Sequence, residues 1–371
     1  MTDSPLKQLH ALGQSIWLDY IHTDLMHSGE LARLIENDAL QGLTSNPSIF
    51  EQAIANTDAY DERLRALVST QPELDANGLF TELALVDIAA AADVFEPVWR
   101  ASRGDDGMVS LEVSPTLAHD ADATVTEALQ LHARLARPNV MIKVPGTKAG
   151  VAAFEELTAQ GVSVNVTLLF SVERYREITA AHLRGLHRRL AAGHAIDGIA
   201  SVASFFISRV DTAVDAALGQ QGSDQAGALM STIAIANAKV AWGHYQNLYG
   251  GEAWQSLAAA GALPQRLLWA STGTKNPDLP KTHYIDTLIG PDTVNTVPPK
   301  TFDAFRDHGV PAVRVRDDLD GARACMTGLE GQGISMSEVT ARLEQEGVDK
   351  FVTAFDKLLA TVGARQQELA A

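Results

Sequence analysis

The sequence predicts an α/β protein folded as a TIM-type (β/α)8 barrel, with added helices after the second strand and at the C-terminus. Two observations carry this. Eight short β-rich runs recur along the chain, mostly separated by helical patterns, and alternation of that kind implies a parallel sheet with right-handed crossovers. The runs also read apolar on one face and selectively polar on the other. An open parallel sheet covered by helices on both sides reads apolar on both faces, whereas a barrel turns one face inward, where polar groups near the strand ends can form a site.

The runs cover residues 15–20, 40–45, 108–114, 140–144, 162–168, 199–205, 266–271 and 293–297. Side chains alternate across a strand. Val109, Leu111 and Val113 therefore oppose Ser110 and Glu112; Val140, Ile142 and Val144 oppose Met141 and Lys143; Val162, Val164, Val166 and Leu168 oppose Ser163, Asn165 and Thr167. Helical spacing of apolar positions marks 28–37, 121–136, 150–160 and 171–190, and more weakly 279–288. The stretch 47–103 exceeds a minimal barrel and holds at least two helical segments, including the alanine-rich 80–100. Beyond Pro298 further helices follow, one opened by the capping-box pattern Ser335-Met-Ser-Glu338 and another around 348–359. No Pro/Gly/Ser-rich linker sets these additions apart. Residues 1–371 are read as one catalytic domain, with 298–371 a helical extension packed on the barrel.

Hydrophobic residues at 46% and charged residues at 20% describe a chain able to bury a sizeable core. The formal charge of −17 disfavours long-range attraction to nucleic acid or an anionic membrane, so an anionic substrate needs a local basic pocket. A single cysteine, Cys325, excludes an intramolecular disulfide and any Cys-based zinc cluster, in keeping with a reducing cytosol. Neither a signal-peptide core nor a membrane-length apolar run occurs. A cytoplasmic protein is expected. His182 and His187 are five residues apart, off a common helix face, and read as solvated helix positions rather than zinc ligands.

Lys143 lies in Val140-Met-Ile-Lys-Val-Pro with apolar residues on both sides. Burial disfavours an ammonium and leaves more free amine to attack a carbonyl. On that strand alone a snorkelling or paired structural lysine is the better reading. Other strand ends shift the balance: Asp19 ends the first run, Asn46 follows the second, Glu112 lies near the end of the third, and Asn165 and Thr167 end the fifth. A barrel brings such ends to one face, and an amine with two carboxylates beside it is equipped to move protons during imine formation and carbon–carbon cleavage. Each also has a plainer reading. Asp19 and Glu112 could be structural ion pairs, Asn46 a turn initiator with Ser48 as the helix cap, Thr167 a β-former, and Arg209 a partner of Asp211.

Four segments, Thr44-Ser-Asn-Pro-Ser, Ile142-Lys-Val-Pro-Gly-Thr, Val164-Asn-Val-Thr-Leu-Leu-Phe-Ser and Val202-Ala-Ser-Phe-Phe-Ile-Ser-Arg, resemble the signature segments of the transaldolases, in family order. The resemblance runs from Ser15 to about Val297. The length and the run Trp269-Ala-Ser-Thr-Gly-Thr-Lys-Asn are similar to the longer bacterial subgroup. It implies a class I aldolase-type mechanism with no cofactor and no metal. Lys143 would form a Schiff base with the ketose C2 carbonyl, and Asp19 would take the C4 hydroxyl proton. Glu112 would move protons through a water oriented with Thr167, and Asn46 and Asn165 would hold the three-carbon fragment. Ser204 and Arg209 match the family's Ser and phosphate-binding Arg after the sixth strand, and Ser271 its seventh-strand Ser. The commoner form of the family has a second arginine shortly after that serine; here Thr272-Gly-Thr-Lys275-Asn276 follows, and Lys275 stands in as a point charge where the arginine offers a fork.

The implied reaction passes dihydroxyacetone from sedoheptulose 7-phosphate to glyceraldehyde 3-phosphate, in the non-oxidative pentose phosphate pathway. Two rivals stand: a related lyase, like fructose-6-phosphate aldolase, that releases free dihydroxyacetone, and a non-catalytic barrel that only binds sugar phosphates. Sugar phosphates are the expected partners, without nucleic acid or membrane, and homo-oligomerisation is left open.

Overall fold

The computed structural model describes residues 4–370. Eight parallel strands close into a barrel in sequence order: β1 (Gln14–Asp19), β2 (Leu40–Thr44), β3 (Met108–Glu112), β4 (Val140–Pro145), β5 (Val164–Leu169), β6 (Ser201–Phe206), β7 (Arg266–Ala270) and β8 (Thr293–Val297). β8 pairs back onto β1, with Gln14 opposite Thr293 and Leu18 opposite Val297. The register sets Glu112 opposite Lys143 and Lys143 opposite Asn165, so the polar inner face predicted for three strands becomes one lateral row. Each expected strand is present, within two residues at either end.

Local chemistry fixes the helices behind these strands. Asp120, Thr147 and Ser171 cap the helices Ala121–Leu135, Lys148–Gln160 and Val172–Ala191 through their side-chain oxygens. Gly150 has no freedom to be anything larger, since a Cβ there would meet the Pro145 carbonyl oxygen at 1.8 Å. That close approach seats the helix directly on the end of the strand that carries Lys143.

Several expectations need correcting. The 279–288 segment is helical only over His283–Thr287, because Pro277 and Pro280 interrupt the stretch before it. The two helices expected in the tail are one, Met336–Ala370, opened by Ser335, whose Oγ accepts from the Glu338 N–H at 3.3 Å. Leu168 leaves the outer face assigned to it. Its φ of 60° and the register shift between Val166 and Leu169 form a bulge that turns its side chain toward Gly347 of the C-terminal helix. His182 is fully buried, stacked near Phe154 and Trp254, and burial pushes its pKa down to about 3, so it is a neutral core residue; His187 is exposed.

Between β6 and β7 lie four helices that periodicity did not mark: Ser208–Gly219, Asp224–Leu229, Ile233–Tyr249 and Glu252–Ala259. The stretch after β2 holds Pro47–Ala55, Asp61–Thr70 and Ala76–Ala101, and the C-terminal helix packs along all three and touches β5. Among the described residues no helix is long and apolar enough to cross a membrane.

Candidate active site

The C-terminal ends of the strands surround a cavity of about 260 Å³. Asp19, Asn46, Lys143, Thr167, Ser204, Arg209, Ser271 and Lys275 all line it. Of the residues predicted from sequence, only Glu112 and Asn165 stand behind this surface, and both support residues on it. Thr44, Phe206, Ala270, Gly273, Thr296, Pro298 and Phe351 complete the lining and were not anticipated as site residues.

Lys143 and Glu112 form the centre. Their side chains are 7% and 5% exposed, with Nζ 3.4 Å from Glu112 Oε2. The contact is an ion pair in which Oε2 takes no well-directed hydrogen bond. The Lys143 Nζ also donates to the Ser45 carbonyl at 3.2 Å. Burial pushes the Glu112 carboxyl up to about 7; Lys143 opposes that rise and the Asp19 charge adds to it. Asp19 is raised too, by burial first, with Lys143 and a hydrogen bond from Thr44 opposing. Thr44 Oγ1 donates to Asp19 Oδ1 at 2.8 Å and lies 2.7 Å from Thr296 Oγ1, which fixes the carboxylate at the mouth. A carboxyl poised near neutrality can both accept and return a proton.

The floor is a hydrogen-bonded chain. Ser204 donates to Asn165 Oδ1 at 2.7 Å, and Asn165 Nδ2 donates to Ser110 Oγ at 3.2 Å. Asn46 Oδ1 accepts from the Ile49 N–H at 3.1 Å, capping Pro47–Ala55, and the residue also lines the cavity. The cap is therefore Asn46, not Ser48. Thr167 Oγ1 is buried without a hydrogen-bond partner among the described residues, aimed into the site from the bulge in β5. Buried polar atoms usually have partners, so this hydroxyl is suited to hold a small polar molecule.

The end of the cavity at Arg209 differs from the simple ion pair weighed above for that residue. Asp211 does not pair with it; its carboxylate accepts from the Ala234 N–H at 2.7 Å and from Tyr284 Oη at 2.9 Å. Arg209 instead lies over the Phe206 ring at 5.0 Å, with a buried Nη1 that makes no hydrogen bond among the described residues. Ser271, at φ 57°, shares a hydrogen bond of 3.0 Å with Ser208. That left-handed backbone is uncommon outside glycine, and it turns the chain after β7 so that Gly273 and Lys275 reach the cavity. Among the described residues no group of three or more His, Cys, Asp or Glu is placed to hold a metal ion.

Comparison with known proteins agrees with the barrel fold. The family described as Transaldolase/Fructose-6-phosphate aldolase matches residues 16–362. The chain is 47% identical over 374 residues to the protein named Transaldolase from Thermobifida fusca, covering 99% of each. It is 46% identical to Transaldolase 1 from Streptomyces coelicolor (97% of this chain, 94% of that one). Transaldolase from Thiobacillus denitrificans is 44% identical (96% of this chain, 99% of that one).

Proposed function

This chain belongs to the transaldolase/fructose-6-phosphate aldolase family, and from that premise we propose that it is a transaldolase working through a Schiff base on Lys143. It transfers a dihydroxyacetone unit reversibly from sedoheptulose 7-phosphate to glyceraldehyde 3-phosphate, giving erythrose 4-phosphate and fructose 6-phosphate. The observation that carries the mechanism is the buried Lys143 amine, 3.4 Å from a carboxyl raised to about 7, in a cavity that also presents Asp19.

The Lys143 amine adds to the ketose C2 carbonyl. Glu112, through a water held by Thr167, passes the protons that turn the carbinolamine into an iminium and release water. Asp19 then takes the C4 hydroxyl proton; the C3–C4 bond breaks, its electron pair moves into the iminium to give an enamine, and the aldose phosphate departs. The enamine carbon attacks the acceptor aldehyde, Asp19 returns its proton to the new hydroxyl, and water releases the product. Asn46 and Ser204 hold the three-carbon unit, with Asn165 orienting Ser204 from behind it, and Arg209, Ser271 and Lys275 hold the phosphate, where a guanidinium fork suits the geometry.

The whole chain acts as one catalytic domain, with residues 298–371 as its helical extension, in the cytoplasm and the non-oxidative pentose phosphate pathway. The test is turnover of fructose 6-phosphate with and without erythrose 4-phosphate. Rapid reaction only with the acceptor supports the transferase; equally rapid release of free dihydroxyacetone without it shows a lyase instead.

A further inference from the structure

The helix Met336–Ala370 lays one stripe of residues across the mouth of the barrel. Glu344, Gly347, Phe351, Phe355 and Leu358 are spaced by three or four residues and share a face. On one side of Phe351 the stripe is tied to the end of β5 and the helix that follows it. Glu344 Oε2 lies 3.4 Å from Arg174 Nε, and at Gly347 a Cβ would come within 2.9 Å of Leu168 Cδ2, so the absent side chain lets the helix lie against the bulge. On the other side it is tied to the helices after β2, where Phe355 meets Phe80 edge-on at 6.1 Å, Lys357 pairs with Glu51 at 3.0 Å and Leu358 is fully buried. Phe351 spans the gap between these anchors. It is half-buried, lines the cavity and holds its ring centre 5.7 Å from the Lys143 Nζ. A large apolar side chain anchored from both sides, yet presenting a face to a polar cavity, is placed to cover what binds there.

We propose that Phe351 is a specificity-determining residue of the transfer: its ring roofs the three-carbon enamine on Lys143 and keeps bulk water from protonating it before the acceptor aldehyde arrives. This deepens the transaldolase reading and rests on it. The enamine has two fates. Attack on the acceptor forms the new carbon–carbon bond and completes the transfer. Protonation of the same carbon by water restores an iminium instead, and the hydroxide so formed takes up the proton that Asp19 holds. A second water then adds at C2, its proton passes to Glu112, the C–N bond breaks, and the lysine amine and free dihydroxyacetone separate. That path consumes only water, so access to the enamine carbon decides between the fates. The water held by Thr167 serves the nitrogen from the β5 side of the cavity, so a roof against bulk solvent leaves ordinary product release intact.

The experiment measures two rates in the full chain: release of free dihydroxyacetone from fructose 6-phosphate without an acceptor, and transfer to erythrose 4-phosphate. Phe351→Ala raises the ratio of release to transfer about tenfold and Phe351→Val about threefold, while Phe351→Leu, which keeps most of the apolar cover, stays within about twofold of the unsubstituted protein. Phe355→Leu disturbs the same helix one turn on, outside the cavity lining, and leaves the ratio unchanged. An unchanged or lowered ratio in Phe351→Ala, or in Phe351→Val where the alanine variant does not fold, overturns the inference. That is the result if the ring only steadies the cationic nitrogen or the helix, since both rates then fall together. An equal rise in Phe355→Leu overturns it as well. Failure of the transaldolase reading shows separately, in the unsubstituted protein, as absence of a borohydride-trapped adduct or as release already as fast as transfer.

Discussion

The two ends of the barrel both bury charge, and they treat it in opposite ways. At the N-terminal end the Arg266 guanidinium donates to Ser15 Oγ at 2.9 Å, to the Asp105 carbonyl at 2.5 Å and to Asp106 Oδ1 at 2.8 Å. Asp106 in turn accepts from Ser15 Oγ at 2.6 Å and from the Trp17 indole at 3.2 Å. At the C-terminal end Lys143 has one carbonyl and a misaligned carboxylate, and Glu112 Oε2, Thr167 Oγ1 and Arg209 Nη1 lack hydrogen-bond partners among the described residues. A satisfied network repays the desolvation of its charges through geometry. An under-partnered one holds its groups ready for a ligand, at a cost in stability that the rest of the fold offsets.

Substitutions at the two ends should therefore read out differently. Lys143→Ala lowers turnover by ~10⁴-fold or more, since the nucleophile is gone, yet shifts Tm little because the Glu112 left behind can protonate. A Lys143→Ala protein with full turnover would break the contrast. Asp106→Ala acts on the other axis: it takes away one of the two carboxylates that pair with the buried Arg266, leaving Asp105 at 3.3 Å, and costs about 3 kcal/mol of stability. This is read as a Tm lowered by several degrees, with kcat nearly unchanged in the folded protein.

Glu112→Gln comes next, lowering kcat by about 10²–10³-fold. Here pH sharpens the comparison. Glu112 must be ionised to take a proton, and its carboxyl is raised to about 7, so kcat/KM of the unsubstituted enzyme falls as pH drops through about 7. That acid limb disappears in Glu112→Gln; an unchanged limb would move the base elsewhere. Thr167→Val is the mildest, lowering kcat roughly five- to tenfold for one lost hydrogen bond of ~1 kcal/mol. Its KM should stay nearly constant if the hydroxyl serves a water and not the sugar.

The same contrast separates what the sequence disclosed from what it hid. Lys143, Glu112 and Asn165 were legible because a charged or amide residue in an apolar run is conspicuous, and strand parity put them on one side. Thr44 and Thr296 were not, since a threonine at a strand end is an ordinary β-former. Leu168 followed parity on paper, and the positive φ that removes it from the outer face leaves no mark in composition. The helix Ile233–Tyr249 escaped because it buries Ile233, Ala234, Ala236, Asn237, Ala238, Ala241 and Trp242 on several sides at once, so no single apolar stripe signals its period. Phe351 lies in the tail, far along the chain from Lys143, and only the path of the C-terminal helix over the mouth brings the two together.

The central claim is a covalent bond to one particular nitrogen. Reduction of the enzyme with borohydride in the presence of fructose 6-phosphate, followed by peptide mass mapping, reads it directly. A three-carbon adduct on Lys143 is the predicted result; an adduct on the exposed Lys148 at the start of the next helix, or no adduct at all, would contradict it.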